Sequence, residues 1–243
     1  MKEVRFFYVP DAANTDELPV EEAMHALRVL RLKSGDELMI MDGAGTYYRA
    51  EILLAATRRC TYRILETLPQ APQWRGRLQI ALSPTKMMDR VELFAEKATE
   101  IGIDEFSFIN CQFSERKLLR TARLEKIVVA AVKQSRKSIK PILNQMVTFK
   151  SFVDQERPGR KFICHCYDEE IPSPFLFDEL QKPSPDNCDD VTVLIGPEGD
   201  FSVEEVRRAI SHGYEPVSLG KSRLRTETAG ITAALMMQLA RRV

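Results

Sequence analysis

Residues 191–202 read Val191-Thr192-Val193-Leu194-Ile195-Gly196-Pro197-Glu198-Gly199-Asp200-Phe201-Ser202. The first five form an uninterrupted apolar and β-branched run, the pattern of a strand buried on both faces. Gly196 ends that run. Ser202, with Glu205 three residues later, is a capping box that opens a helix over Val203–His212. The arrangement recurs downstream: a strand predicted at Pro216–Leu219, a turn Gly220-Lys221-Ser222-Arg223-Leu224-Arg225, and a helix from about Glu227. Glycines at strand C-termini let a ligand approach the backbone, and open α/β sheets bind ligands at that end. Two such turns in consecutive βα units point to a shared pocket. Neither is a dinucleotide fingerprint or a P-loop, so phosphate cradling is not indicated.

Working outward, the alternation continues back to residue 71. Strands are predicted at Leu78–Leu82, Phe106–Ile109 and Lys161–Cys164. One helix presents Val91, Phe94, Ala95, Ala98 and Ile101, and another Leu124, Ile127, Val128 and Ala131. This is the pattern of a mainly parallel α/β sheet. The last helix is apolar nearly all round and is expected to be buried. Before residue 70 the pattern is different. Short β-like runs at Arg5–Val9, Glu37–Met41, Tyr47–Ile52 and Cys60–Leu65 are separated by turns at Ser34-Gly35-Asp36 and Asp42-Gly43-Ala44-Gly45. They suggest a small β-barrel with a short helix, Glu21 to Leu30, inserted early. Pro69-Gln70-Ala71-Pro72-Gln73 reads as a linker, giving domains over 1–70 and 71–243.

The 243 residues have no formal net charge and no apolar run near the roughly 18 that a membrane span needs. The polar, acidic start does not read as a signal peptide, and five cysteines without framework spacing read as reduced cytoplasmic thiols. Cys164-His165-Cys166 lacks the further ligands of a zinc site and reads as strand or strand-end residues, so no metal is expected. Charge is unevenly distributed. Residues 114–140 carry nine Lys or Arg against Glu115 and Glu125, a net of +7, and residues 168–190 a net of −7. A charged run can be a solvated helix face or a phosphate-contacting surface.

The pair IGPEGDFSVEE and LGKSRLRTETAGITAA resembles the ribosomal RNA uridine-N3 methyltransferases of the RsmE type, members of the SPOUT class. HALRVLRLKSGD at His25–Asp36, the following Asp42-Gly43, EKATEIGI at Glu96–Ile103, Ser114-Glu115-Arg116 and KQSRK at Lys133–Lys137 extend the resemblance nearly end to end. It implies a PUA-like, RNA-binding N-terminal barrel and a trefoil-knotted α/β methyltransferase domain that binds S-adenosylmethionine. It also implies a cytoplasmic homodimer methylating one uridine of 16S rRNA in the assembled small ribosomal subunit. Two positions depart from the family pattern: Asp200 stands where a second glycine is frequent, and Lys133 where a glutamate is frequent.

On this resemblance the cofactor residues are expected to be Leu194, Ile195, Gly196, Pro197, Glu198, Gly199, Leu219, Gly220, Ser222, Leu224, Arg225 and Thr226. RNA contacts are expected at Arg28, Arg31, Arg116, Arg120, Lys133 and Arg136. Because uracil N3 carries a proton at neutral pH, the site must remove it or stabilise the resulting anion. Arg225 is the candidate for stabilising that charge; its structural alternative is an ion pair with Glu198 or Glu227. The base is left open between Glu198, Glu227, water and RNA. Methylation of a tRNA or of a ribose 2′-hydroxyl, a non-enzymatic RNA-binding role, and a metal or redox role for Cys164 and Cys166 are the alternatives.

Overall fold

The computed structural model describes residues 5–167, 171–184 and 186–243. The acidic segment 168–190 therefore lies partly outside the described residues, at 168–170 and 185. The chain divides into two units, Met1–Pro72 with Val129–Lys140, and Gln73–Val128 with Pro141–Val243.

In the first unit, β1 (Phe6–Tyr8) pairs in parallel with β2 (Glu37–Met41). Antiparallel ladders then join β2 to β3 (Thr46–Ala56) and β3 to β4 (Arg59–Pro69). Asp16 and Leu18 hydrogen-bond across the outer edge of β4, to Tyr62 and Cys60, so that edge is covered. The short helix α1 (Val20–Met24) runs on as a π-helical turn over His25–Val29. Phe7, Ile40, Ala50, Ile52 and Tyr62 form the core. Residues 129–140 belong here too: Gly45 N–H donates to the Ser138 carbonyl and Lys140 N–H to that of Gly43.

The second unit is built on a sheet in which every strand pair is parallel. The order is β11 (Tyr214–Val217), β9 (Arg160–Cys164), β10 (Val191–Ile195), β5 (Leu78–Leu82), β6 (Glu105–Asn110) and β7 (Ile142–Leu143), with β8 (Val147–Thr148) also on β6. Every residue of β5 and β10 is buried, which explains their largely apolar runs; the polar exceptions, Gln79 and Thr192, hydrogen-bond to each other across the ladder. Helix α2 (Met88–Ile101) packs against α7 (Thr226–Arg241), which lies on β5 and β10. Between them in chain order come α3 (Ala122–Ser135), whose residues from Val129 belong to the first unit, α4 (Phe149–Val153), α5 (Leu176–Leu180) and α6 (Val203–Ser211). The expected capping box of α6 is present, with Glu205 N–H donating to Ser202 Oγ and Ser202 N–H to the Glu205 carboxylate.

Two expectations need correction. The strand read as Pro216–Leu219 lies two residues earlier. It starts directly after the left-handed Gly213 and stops where the Ser218 hydroxyl accepts from Gly220 N–H to form a turn. Helix α7 is not buried all round. Ala233, Ala234 and Met237 face inward, whereas Leu235 and Leu239 are 48% and 47% exposed.

Candidate functional site: a cavity at three strand ends

The C-terminal ends of β9, β10 and β11 open onto one cavity of about 710 Å³. Its walls are Cys164–Tyr167, Ile195–Asp200, Ser218–Thr226 and Ala229 on the first turn of α7. That size suits a nucleoside-sized ligand. Three hydrogen bonds hold the walls together. Thr226 Oγ1 donates to the Gly196 carbonyl at 3.1 Å, the Tyr167 hydroxyl to the Phe201 carbonyl at 2.8 Å, and Cys166 N–H to Asp200 Oδ2 at 2.9 Å. Phe201 anchors the assembly from below, fully buried with its ring 5.5 Å from that of Phe149.

Local backbone geometry explains several residue choices. Gly220 has φ +114°, a conformation side chains resist. Gly196 has a different constraint, since a Cβ there would sit 3.1 Å from the Phe201 ring. Asp200 adopts φ +65° although it is not glycine. Its Oδ1 accepts from Phe201 N–H at 2.8 Å, so the carboxylate itself supports the left-handed turn.

The cavity carries opposite charges on different walls. Glu198 and Asp200 belong to the loop after β10, and Lys221, Arg223 and Arg225 to the loop before α7. With apolar surface from Ile195, Pro197, Leu219 and Leu224, this lining suits a ligand that combines a planar base, an ammonium and a carboxylate. Burial, with smaller contributions from Asp200 and Cys166, pushes the Cys164 thiol up, so it stays protonated at neutral pH. His165 is buried, its Nδ1 accepting from Tyr167 N–H and its Nε2 facing Ser173 Oγ.

All the expected cofactor residues line this cavity except Leu194, whose side chain is packed in the core with Ile163 and Phe201. The strip Cys164–Tyr167 is a wall that the two loop motifs do not include. Its strand, β9, is only partly buried at Lys161 and Cys164 and lacks the continuous run that marks β10. Arg225 is exposed at the rim and forms no ion pair among the described residues. The partners considered for it are engaged elsewhere: Glu227 is buried beside Arg90 at 3.8 Å, and Glu198 Oε1 accepts from Lys86 N–H at 3.2 Å. Glu198 lines the cavity and Glu227 does not.

The expected RNA contacts fall into two groups. Arg28, Arg31 and Arg120 are exposed. Lys133 pairs with Glu22 at 2.6 Å, the Arg136 guanidinium lies 5.6 Å from the Phe6 ring centre, and Arg116 donates to two backbone carbonyls. Among the described residues no group of His, Cys, Asp or Glu is placed to hold a metal, and no helix is long and apolar enough to cross a membrane.

Residues 72–238 match the family model described as an RNA methyltransferase domain, and residues 18–65 that of an RNA methyltransferase PUA domain. The ribosomal RNA small subunit methyltransferase E of Synechocystis is 30% identical over 224 residues, covering 90% of this chain and 71% of its own. The chain belongs to the ribosomal RNA small subunit methyltransferase E family. Two solved structures are similar throughout. The probable rRNA-methyltransferase of Porphyromonas gingivalis is 38% identical, with TM-score 0.85 and 95% of each chain covered. A Legionella pneumophila methyltransferase solved with bound SAM is 28% identical, with TM-score 0.85 and 98% of each chain covered. The methyltransferase match takes in every wall of the cavity, and the PUA match runs from Leu18 through most of β4.

Proposed function

We propose that the chain transfers the methyl group of S-adenosylmethionine to N3 of a uridine in 16S rRNA of the small ribosomal subunit. The observation that carries this reading is the 710 Å³ cavity at the ends of β9, β10 and β11, in a member of this family. The lining fits the methyl donor: apolar side chains and loop backbone for adenine, Glu198 and Asp200 for its cationic centres, and Lys221 and Arg223 for its carboxylate. The donor supplies a methyl group already activated on a sulfonium.

The protein's own task is alignment and proton management. The two loops, tied through Thr226 and Gly196, fix the donor so that the incoming nitrogen meets the methyl group in line. Glu198 is the carboxylate within the cavity that can take the N3 proton; one oxygen is held by the Lys86 amide, and the other has no protein partner among the described residues. Arg225, exposed at the rim, stabilises the negative charge that develops on the uracil oxygens.

The unit around β1–β4, corresponding to residues 1–70, binds RNA, with Arg28 and Arg31 offering exposed charge. The 71–243 part follows the trefoil path implied by the family. The protein acts in the cytoplasm as a homodimer, which would cover Leu235 and Leu239 on α7 and Leu93 on α2. N3 methylation blocks the Watson–Crick edge. Deleting the gene should therefore remove one reverse-transcriptase stop in 16S rRNA and re-expression should restore it; an unchanged stop pattern would contradict the proposal.

A further inference from the structure

Ser114, Glu115 and Arg116 all address one loop, Ser83–Lys86, which follows β5. Ser114 Oγ lies 2.7 Å from Ser83 Oγ and also accepts from Cys111 N–H at 2.8 Å, which fixes the turn that presents Arg116. Glu115 pairs with Lys86 at 3.1 Å, an exposed contact of little energetic weight. Arg116 Nε donates to the Thr85 carbonyl at 3.0 Å, and its Nη2 to the Lys86 carbonyl at 2.5 Å. The loop is tied to the cavity at both ends: Ser83 N–H donates to the Ile195 carbonyl at 2.9 Å, and Lys86 N–H to Glu198 Oε1 at 3.2 Å.

We propose that Arg116 is a positioning residue for methyl transfer, bracing Thr85 and Lys86 so that the Lys86 amide holds the Glu198 carboxylate at the cavity rim. A guanidinium is suited to this because its rigid fork of donors spans two adjacent carbonyls, which a lysine ammonium does not reproduce. Two of its N–H groups are turned onto the backbone, so Arg116 serves the loop. Without the brace, Thr85 and Lys86 lose the charged donor on their carbonyls and the Lys86 amide is free to drift from Glu198. A nitrogen-bound proton would then meet a misplaced base, and small displacements at a reacting centre are costly.

The inference rests on the reading of Glu198 as the group that takes the uracil proton. Its test compares wild type, Arg116→Gln, Arg116→Lys, Glu198→Gln and the double variant Arg116→Gln/Glu198→Gln, using unmethylated small subunits as substrate. Glu198→Gln keeps an oxygen to accept from Lys86 N–H but cannot take a proton. Both Arg116 variants should lower kcat at saturating donor and subunit about ten-fold or more, while S-adenosylmethionine affinity and the salt dependence of subunit binding stay at wild-type values. In the Glu198→Gln background, Arg116→Gln should cost less than about two-fold further, because its effect passes through Glu198. A phosphate-contacting arginine would instead reduce the salt slope by about 1 when removed. That reduced slope, or a full ten-fold loss added on top of Glu198→Gln, would overturn the inference. Normal turnover by Glu198→Gln would overturn it together with the proposed base, and an inactive wild type would count against the methyltransferase reading itself. Melting curves of all variants identify any loss that is only unfolding; were Arg116→Gln unfolded, Arg116→Lys carries the same comparison.

Discussion

The Thr226 hydroxyl donates a hydrogen bond to the Gly196 carbonyl at 3.1 Å, joining the start of α7 to the loop after β10. Thr226 is 5% exposed, so water does not readily replace that bond. A bond of this kind contributes about 1 kcal/mol. Thr226→Val should therefore weaken S-adenosylmethionine binding about five-fold by calorimetry, with Thr226→Ser near wild type. Equal affinities in all three proteins would show that the tie does not shape the pocket.

Each of the two loop glycines has its own reason to resist substitution. Gly196→Val would press a side chain against the buried Phe201 ring, whose nearest carbons lie 3.1 and 3.2 Å from where a Cβ would stand. Gly220→Val would force a β-branched residue into φ +114°. Both variants should lose at least ten-fold in donor affinity, with circular dichroism confirming the folded state. Wild-type affinity in either folded variant would remove that loop from the donor site.

Asp200 separates local strain from function. Its φ of +65° is a conformation that costs a side-chain-bearing residue about 1 kcal/mol or more. Glycine would relieve that cost and remove the carboxylate's bonds to both Phe201 N–H and Cys166 N–H. Asp200→Gly should therefore keep or raise the melting temperature relative to Asp200→Ala, which loses the same two bonds and keeps the strain, while both variants release S-adenosylmethionine faster than wild type. An Asp200→Gly variant less stable than Asp200→Ala, with unchanged release, would contradict the tether.

Arg225 is exposed and lacks an ion pair among the described residues, so its removal should disturb chemistry more than structure. Arg225→Ala should keep donor affinity within about two-fold while lowering kcat, the sign of a contact made mainly in the transition state. Normal turnover would withdraw the charge-stabilising role.

Much of this organisation was legible because it is local. β2, β5 and β10 have the bounds that their β-like patterns predict, and the Ser202–Glu205 box marks the start of α6. The displaced β11 shows the limit: Val217-Ser218-Leu219 continues an extended-looking pattern, but the Ser218 turn ends the strand. The wall at Cys164–Tyr167 was hidden for a different reason. Parallel strands that neighbour each other are remote in sequence, so nothing local reveals that β9 lies between β10 and β11. Charge counting had the same weakness. It ranked Arg116 and Lys133 with Arg120, although Arg116 holds backbone carbonyls and Lys133 holds Glu22. Leu194 lies within the right motif, but every β10 residue is buried and its side chain turns into the core.

The most direct test of the central claim is nucleoside mass spectrometry of 16S rRNA after purified protein and S-adenosylmethionine are incubated with small subunits from a strain lacking the gene. The account predicts one new 3-methyluridine, absent when the donor is omitted and absent with Gly220→Val. A methyl group found on a ribose 2′-hydroxyl or on another base, or no methyl incorporated at all, would contradict it.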